Sequence, residues 1–377
     1  MLSQNMVARH GAFIDHAALP AASMVAAQHD IAAWPGYRPT SLRAMPGLAT
    51  ALGLAHVGAK LEAERFAVGS FKALGPPLAL QRALARVGGD STWRAVAATS
   101  GNHGRALAWG AARLGIACTI FMPAHTSAGR EAAIRALGAD VRRIPGDFEA
   151  SLAAAAQAGE QDRTVLVGDL PWRNSDAIPR DILAGYAVLA GEIAGQCAAP
   201  PTHVFVAAGN GSLAAATAAR LWHDHGQNRP VLVTVEPMAS DAIRRSLDAG
   251  QPVTLDAGTG SVMDGLLVRA PSQLGWPLLR AAADFGLTID DAAAIATLYA
   301  AATNAWGDAP LEIGETGIAA LAGLVAAARD PAIAAALRLG RDSRAIASAC
   351  EGVTDRAVFD AIIGRGHASL RGSAGPA

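Results

Sequence analysis

Lys72, in the stretch AERFAVGSFKALGPP, is one of only two lysines in the chain. The other is Lys60, and every remaining member of the 31 Lys and Arg residues is arginine. An amine that can lose its proton forms imines with carbonyl compounds, whereas a guanidinium stays charged at any working pH. A chain that writes arginine almost everywhere and keeps lysine at position 72 therefore points to a Schiff-base amine there. FKALG reads as the start of a small-residue helix, with Lys72 in its first turn, where dipole and burial both lower the amine pKa. Lys60, in GAKLEAE, reads as a structural residue at a strand end.

Two glycine-rich turns supply the next candidates. In VFVAAGNGSLAAATAARL a hydrophobic strand gives way to Gly209, Asn210, Gly211 and Ser212, and a helix follows. Converging backbone N–H groups and a helix N-terminus make such a turn a phosphate cradle, although an ordinary βα turn has the same composition. The Walker lysine is absent, and the dinucleotide fingerprint lacks its third glycine and acidic partner. A cofactor with a single phosphate fits better than a nucleotide. In ATSGNHGRALAWG, Ser100 and Asn102 sit where a loop faces a ligand, and Asn102 is the better candidate for direct contact. His103, in the first helical turn, packs or caps more readily than it reacts.

The elements that must position these residues alternate. RAVAAT, ACTIFMP, DVRRIPG and RTVLVGD read as strands separated by helical segments over residues 91–169, and HVFVAAG and PVLVTVEP continue the pattern later. Strand–helix alternation of this kind predicts an α/β fold with parallel sheets. The proline-marked stretch DLPWRNSDAIPR reads as a crossing between domains. The expected organisation is a smaller αβ domain at residues 85–180 inserted in a larger one built from 1–84 and 181–377.

Composition narrows the function classes. The chain has 51% hydrophobic residues, a formal net charge of −1 and a pI near 6.8, with no basic stripe. Nucleic acid and membrane surfaces are not expected partners. Cys118, Cys197 and Cys350 show no metal-ligand spacing and imply no disulfide framework, which suits a reducing cytoplasm; no metal site is expected. AALPAASMVAA follows Asp15 and His16 without a basic leader, so it does not read as a signal peptide. No apolar run approaches the ~20 residues needed to span a bilayer.

Schiff-base lysine, phosphate cradle and SGNHG loop, in combination, resemble the fold-type II pyridoxal-phosphate enzymes, and among them the diaminopropionate ammonia-lyase family. The resemblance runs through YRPTSLRAMPGLATALGLAHVGAKLEAERFAVGSFKALG, then DLPW and GYAVLAGEI, then VMDGLLVRAPSQLGWPLL, GETGIAAL and CEGVTD, over residues 34–365. It implies two open twisted sheets flanked by helices, the larger domain binding pyridoxal 5'-phosphate, and a homodimer. It implies a β-elimination in which Lys72 carries the cofactor and takes the Cα proton of an amino-acid substrate. With 2,3-diaminopropionate the products are pyruvate and two ammonias. Asn102 is implied as the partner of the ring oxygen, residues 209–212 of the phosphate, and Cys350 of the ring nitrogen. Asp169 is implied to handle the substrate amine or to act as a second acid/base, although its place ahead of Pro171 also suits a turn cap.

One departure stands out. Where the family's loop reads T-D-G-N-H-G, with the aspartate credited with the proton of the D-enantiomer, this chain has Ser100. Serine has no comparable basicity without an adjacent base. The L-isomer is therefore the expected substrate. The same serine keeps open a serine/threonine dehydratase and a β-replacement synthase of the cysteine synthase type.

Overall fold

The computed structural model describes residues 1–8, 17–173, 175–256 and 258–373, without the side chains of 366–373. Asp15 and His16, used above to judge the N-terminal segment, lie outside the described residues. In chain order the strands are β1 (Leu2–Gln4), β2 (Leu42–Ala44), β3 (His56–Leu61), β4 (Arg94–Ala98), β5 (Ala117–Pro123), β6 (Asp140–Ile144), β7 (Thr164–Leu166), β8 (His203–Ala207), β9 (Val231–Pro237), β10 (Phe285–Ile289) and β11 (Arg344–Ala349).

They form a seven-stranded sheet in the order β1-β10-β9-β8-β11-β3-β2 and a four-stranded sheet in the order β6-β5-β4-β7. Only the edge strands β1 and β2 pair antiparallel. Parallel strands are covered by helices on both faces, so their sequences are continuous apolar runs rather than alternating ones. All five residues of β8 are buried, as are six of the seven in β9. The fold class is the α/β arrangement of two helix-flanked sheets that the alternation predicts.

Contacts divide the chain into two compact units. The larger holds β1–β3 and β8–β11, with the chain over Pro39–Glu64 and from Leu189 onward; the smaller is Ala17–Arg38 with Arg65–Val188. These boundaries differ from those expected from sequence, because residues 17–38, 65–84 and 181–188 pack with the smaller sheet. Arg82 binds Asp30 at 2.7 Å and Asp181 at 2.9 Å, tying all three segments together. The helices Pro76–Val87 and Asn102–Leu114 meet where Gly110 leaves no room for a Cβ, which would lie 2.9 Å from the Pro77 Cα. The chain then leaves the smaller unit inside the helix Ala177–Gln196, not in the proline-marked stretch before it.

Lys60 is structural, as its setting suggests. It lies on β3, is fully buried, and its amine donates to Thr40 O at 2.6 Å, Glu192 Oε2 at 2.6 Å and Gln196 Oε1 at 2.9 Å. Three protons meet three acceptors, so the charge is compensated and has no nucleophilic lone pair to offer. Among the described residues no single helix is long and apolar enough to cross a membrane.

Candidate active site

The lysine turn lies in the smaller unit. FKALG does not open a long helix: Phe71–Leu74 is a short 3-10 turn, and Pro76 and Pro77 begin a separate helix, Pro76–Val87. Proline favours the first helical position and has no backbone N–H with which to continue the preceding turn, so a new helix starts after Gly75. The expected helix dipole is thus not what acts on Lys72. Its surroundings are. Its backbone N–H donates to Ser70 Oγ at 3.3 Å, and its Nζ lies 3.9 Å from Asp169 Oδ2. The same Nζ stands 5.2 Å from the ring centroids of both Phe71 and Tyr186.

The turn is held from two sides. Its backbone presses on the helix Ala177–Gln196 at a point where a Cβ on Gly185 would come 2.2 Å from Leu74 O. Beneath it, Val68, Ala73 and Ala106 form a buried cluster, and Phe66 and Trp109, stacked on each other with centroids 4.5 Å apart, pack against it. These close contacts fix where Lys72 begins.

Asp169 follows β7 and faces both Lys72 and His103, whose Nδ1 is 3.9 Å from Asp169 Oδ1. It is therefore part of a charged cluster rather than a simple turn cap. His103 Nε2 lies 2.9 Å from Val167 O. A carbonyl only accepts, so Nε2 carries the proton. Burial is the largest influence on His103 and lowers its pKa, with Asp169 opposing and Lys72 reinforcing that effect. The neutral ring then presents the Nδ1 lone pair toward Asp169, and the two groups make a place for one proton. Asn102, at the start of the same helix, accepts from Arg105 Nη1 at 3.1 Å through Oδ1. Ser100 lies in the loop between β4 and that helix, half-buried.

The second glycine turn belongs to the larger unit and follows β8. Gly211, at φ +81°, is in the left-handed region, and it caps the helix Ser212–His225. A Cβ there would lie 2.6 Å from Leu279 Cδ1 and 2.9 Å from Ile243 Cδ1. Asn210 Oδ1 accepts from Ser212 N at 3.0 Å, and Asn210 O accepts from Ser272 N at 2.8 Å. The following N–H groups of the first helical turn have no intrahelical acceptor, which is what an anion site requires.

Cys350, just past β11, is buried, and its thiol contacts Thr316 O at 3.9 Å. Thr316 Oγ1 accepts from Gly265 N at 3.1 Å, and Gly265 O would lie 3.4 Å from a Cβ on Gly209. Segments singled out by resemblance, VMDG, GETG and CEG, thus meet around the 209–212 turn. Sequence reasoning missed Thr316 and Gly265 as individual residues, and it missed Tyr186 and Gly185 altogether. Both pairs lie in segments that carry the resemblance, but a segment does not say which face of a helix meets a neighbour.

A family profile described as "Pyridoxal-phosphate dependent enzyme" matches residues 33–345. Diaminopropionate ammonia-lyase of Escherichia coli strain K12 is 30% identical over 344 residues, covering 85% of this chain and 86% of that protein. The solved structure of the Escherichia coli enzyme in complex with an aminoacrylate–cofactor reaction intermediate superposes with a TM-score of 0.87 at 27% identity, covering 97% of each chain. Its complex with D-serine gives 0.88 at 26% identity, again with 97% of each chain covered.

Proposed function

We propose that this chain, which belongs to the diaminopropionate ammonia-lyase family of pyridoxal-phosphate-dependent enzymes, eliminates ammonia from the L-isomer of 2,3-diaminopropionate to give pyruvate and two ammonias. The observation that carries this reading is the placement of Asp169 and His103 beside Lys72.

The residues present fit the cofactor. A Cβ at Gly209 would press on Val268 and one at Gly211 on Leu279 and Ile243, so only glycine lets the turn keep this shape, and Ser212 opens the helix beyond it. The turn would hold the phosphate, Asn102 the ring oxygen through its amide NH2, Cys350 the ring nitrogen and Lys72 the aldehyde carbon. When bound, pyridoxal phosphate supplies an electron-withdrawing ring that makes the Cα–H bond of an attached amino acid acidic. A thiol is a weak hydrogen-bonding group, so Cys350 leaves that ring nitrogen largely unprotonated, which suits elimination over transamination.

The chain's own residues then divide the proton traffic. Lys72 takes the Cα proton through its Nζ. Asp169, with His103 beside it, pairs with the positively charged β-amine of the substrate and keeps it protonated, so the nitrogen leaves as neutral ammonia. The Cβ–N bond breaks, its electrons leave with ammonia, and the released 2-aminoacrylate tautomerises and hydrolyses to pyruvate and the second ammonia. We place the enzyme in the cytoplasm as a homodimer. Its three cysteines are free thiols, which supports the first point, and the resemblance to the family supports the second.

Ser100 favours a second reading, a serine/threonine dehydratase, and L-threonine ammonia-lyase of Geobacter sulfurreducens is 29% identical over 52% of this chain. Comparing kcat/KM on 2,3-diaminopropionate, serine and threonine separates the two. The family reading gives a clear preference for the diamine, because only that substrate offers Asp169 a cationic β-group. Preference for the hydroxy amino acids overturns it. With serine at position 100, activity on the D-isomer is expected to fall at least about 100-fold below that on the L-isomer, the low end of what a general base contributes. Equal rates on the two purified enantiomers contradict the assignment of stereochemistry to this loop.

A further inference from the structure

Tyr186 is fully buried in the helix Ala177–Gln196, and its hydroxyl has no hydrogen-bond partner but the Lys72 amine. Its ring is fixed in place. It meets Phe71 edge-on at 4.8 Å, and a Cβ on Gly75 would come 2.5 Å from Tyr186 Cε1. A buried hydroxyl left unpaired is costly, and phenylalanine would fill the same space without that cost. The charged groups acting on this hydroxyl are Lys72 and Asp169. Lys72 Nζ stands at the same 5.2 Å from the Tyr186 ring as from the Phe71 ring.

We propose that Tyr186 is a positioning residue for the reaction, its hydroxyl holding the Lys72 amine while that amine takes up the substrate Cα proton. The inference rests on the elimination reading above. It goes beyond it by adding a group that neither the motifs nor the family match assigns. The ammonium formed at Lys72 has three N–H bonds to place in a partly buried site. The two aromatic faces stabilise the cation, and the Tyr186 oxygen accepts one N–H. Burial raises the Tyr186 pKa, so the phenol keeps its proton and serves as a neutral acceptor rather than as a base. The groups facing Lys72 are Asp169 from the loop after β7, His103 from the helix Asn102–Leu114, and Tyr186 with Phe71. Asp169 and Tyr186 favour the ammonium; loss of the Tyr186 oxygen therefore lowers the Lys72 pKa.

The test compares Tyr186→Phe with Phe71→Leu in the holoenzyme. Tyr186→Phe keeps the ring and removes one oxygen. Its thermal unfolding and visible cofactor absorbance per chain are expected to stay close to those of the parent. Its kcat is expected to fall at least about 10-fold, with KM changed less than 3-fold and the Lys72 limb of the kcat pH profile displaced to lower pH; this is below the range for loss of a general base, because Lys72 itself remains. Phe71→Leu removes one aromatic face and leaves the hydroxyl, so that limb is displaced less than in Tyr186→Phe. Unchanged kcat and limb in Tyr186→Phe, or the same displacement in both variants, overturns the proposal.

If Tyr186→Phe loses the cofactor, the cofactor-free protein still decides the matter. With two lysines in the sequence, 13C-lysine labelling gives two side-chain signals, and Lys60 is held by its three acceptors. A lower Lys72 pKa in the variant supports the hydroxyl contact, and an equal one overturns it. That titration needs no substrate, so it stands or falls separately from the elimination reading.

Discussion

Lys72→Ala is expected to abolish the visible cofactor band and to lower turnover on 2,3-diaminopropionate at least about 10³-fold, within the range for loss of a general base. Two functions disappear with one amine: the covalent hold on the cofactor and the acceptor of the Cα proton. No other side chain can take over. Lys60 is fully buried and already donates to Thr40, Glu192 and Gln196. Arginine cannot form the imine. Borohydride reduction of the parent, followed by digestion and mass measurement, should therefore mark a single lysine peptide, the one containing Lys72. Marking of Lys60 in place of Lys72, or a surviving visible band in Lys72→Ala, contradicts the assignment.

Gly185→Ala carries the second large effect, although it touches neither cofactor nor substrate. Alanine is a better helix former than glycine, so an exposed position would gain stability. Here the new Cβ would sit 2.2 Å from Leu74 O, a backbone atom that cannot rotate aside. The helix and the Phe71–Leu74 turn must separate, and Lys72 moves with the turn. Overpacking of this kind costs about 1–3 kcal/mol, and a displacement near 1 Å at the reacting group costs about 100-fold in rate. Gly195→Ala in the same helix is the control, because a Cβ there meets nothing within 4 Å. A lower Tm with about 100-fold lower kcat/KM in the first variant, and parent kcat/KM with a Tm no lower than the parent's in the second, is the expected pair of results. Parent-like kinetics in Gly185→Ala would show that the glycine contact does not set the lysine.

Much of this was legible in the sequence, for reasons that can be stated. β4, β5, β8 and β9 stand out because a strand buried on both faces is a short continuous apolar run. β10 (FGLTI) and β11 (RAIASA) do not stand out, since short runs in an alanine-rich chain suit a buried helix equally well. Lys72 and the 209–212 turn announce themselves chemically, one by resisting replacement with arginine, the other by glycine spacing. The unit boundaries are not local information. They depend on Arg82 reaching Asp30 and Asp181, residues 52 and 99 positions away. The Lys72 turn was misread as helix because FKAL is a fair helical sequence and only the following prolines break it. Tyr186 looks in sequence like any apolar-face aromatic; its hydroxyl matters only because of what folds beside it.

The most direct measurement is the stoichiometry of products from purified holoenzyme and L-2,3-diaminopropionate in buffer without added nucleophile. The account predicts one pyruvate and two ammonias per substrate consumed, with no new amino acid formed and no product from Lys72→Ala. Substrate consumption without pyruvate, or turnover that depends on an added nucleophile, would contradict it.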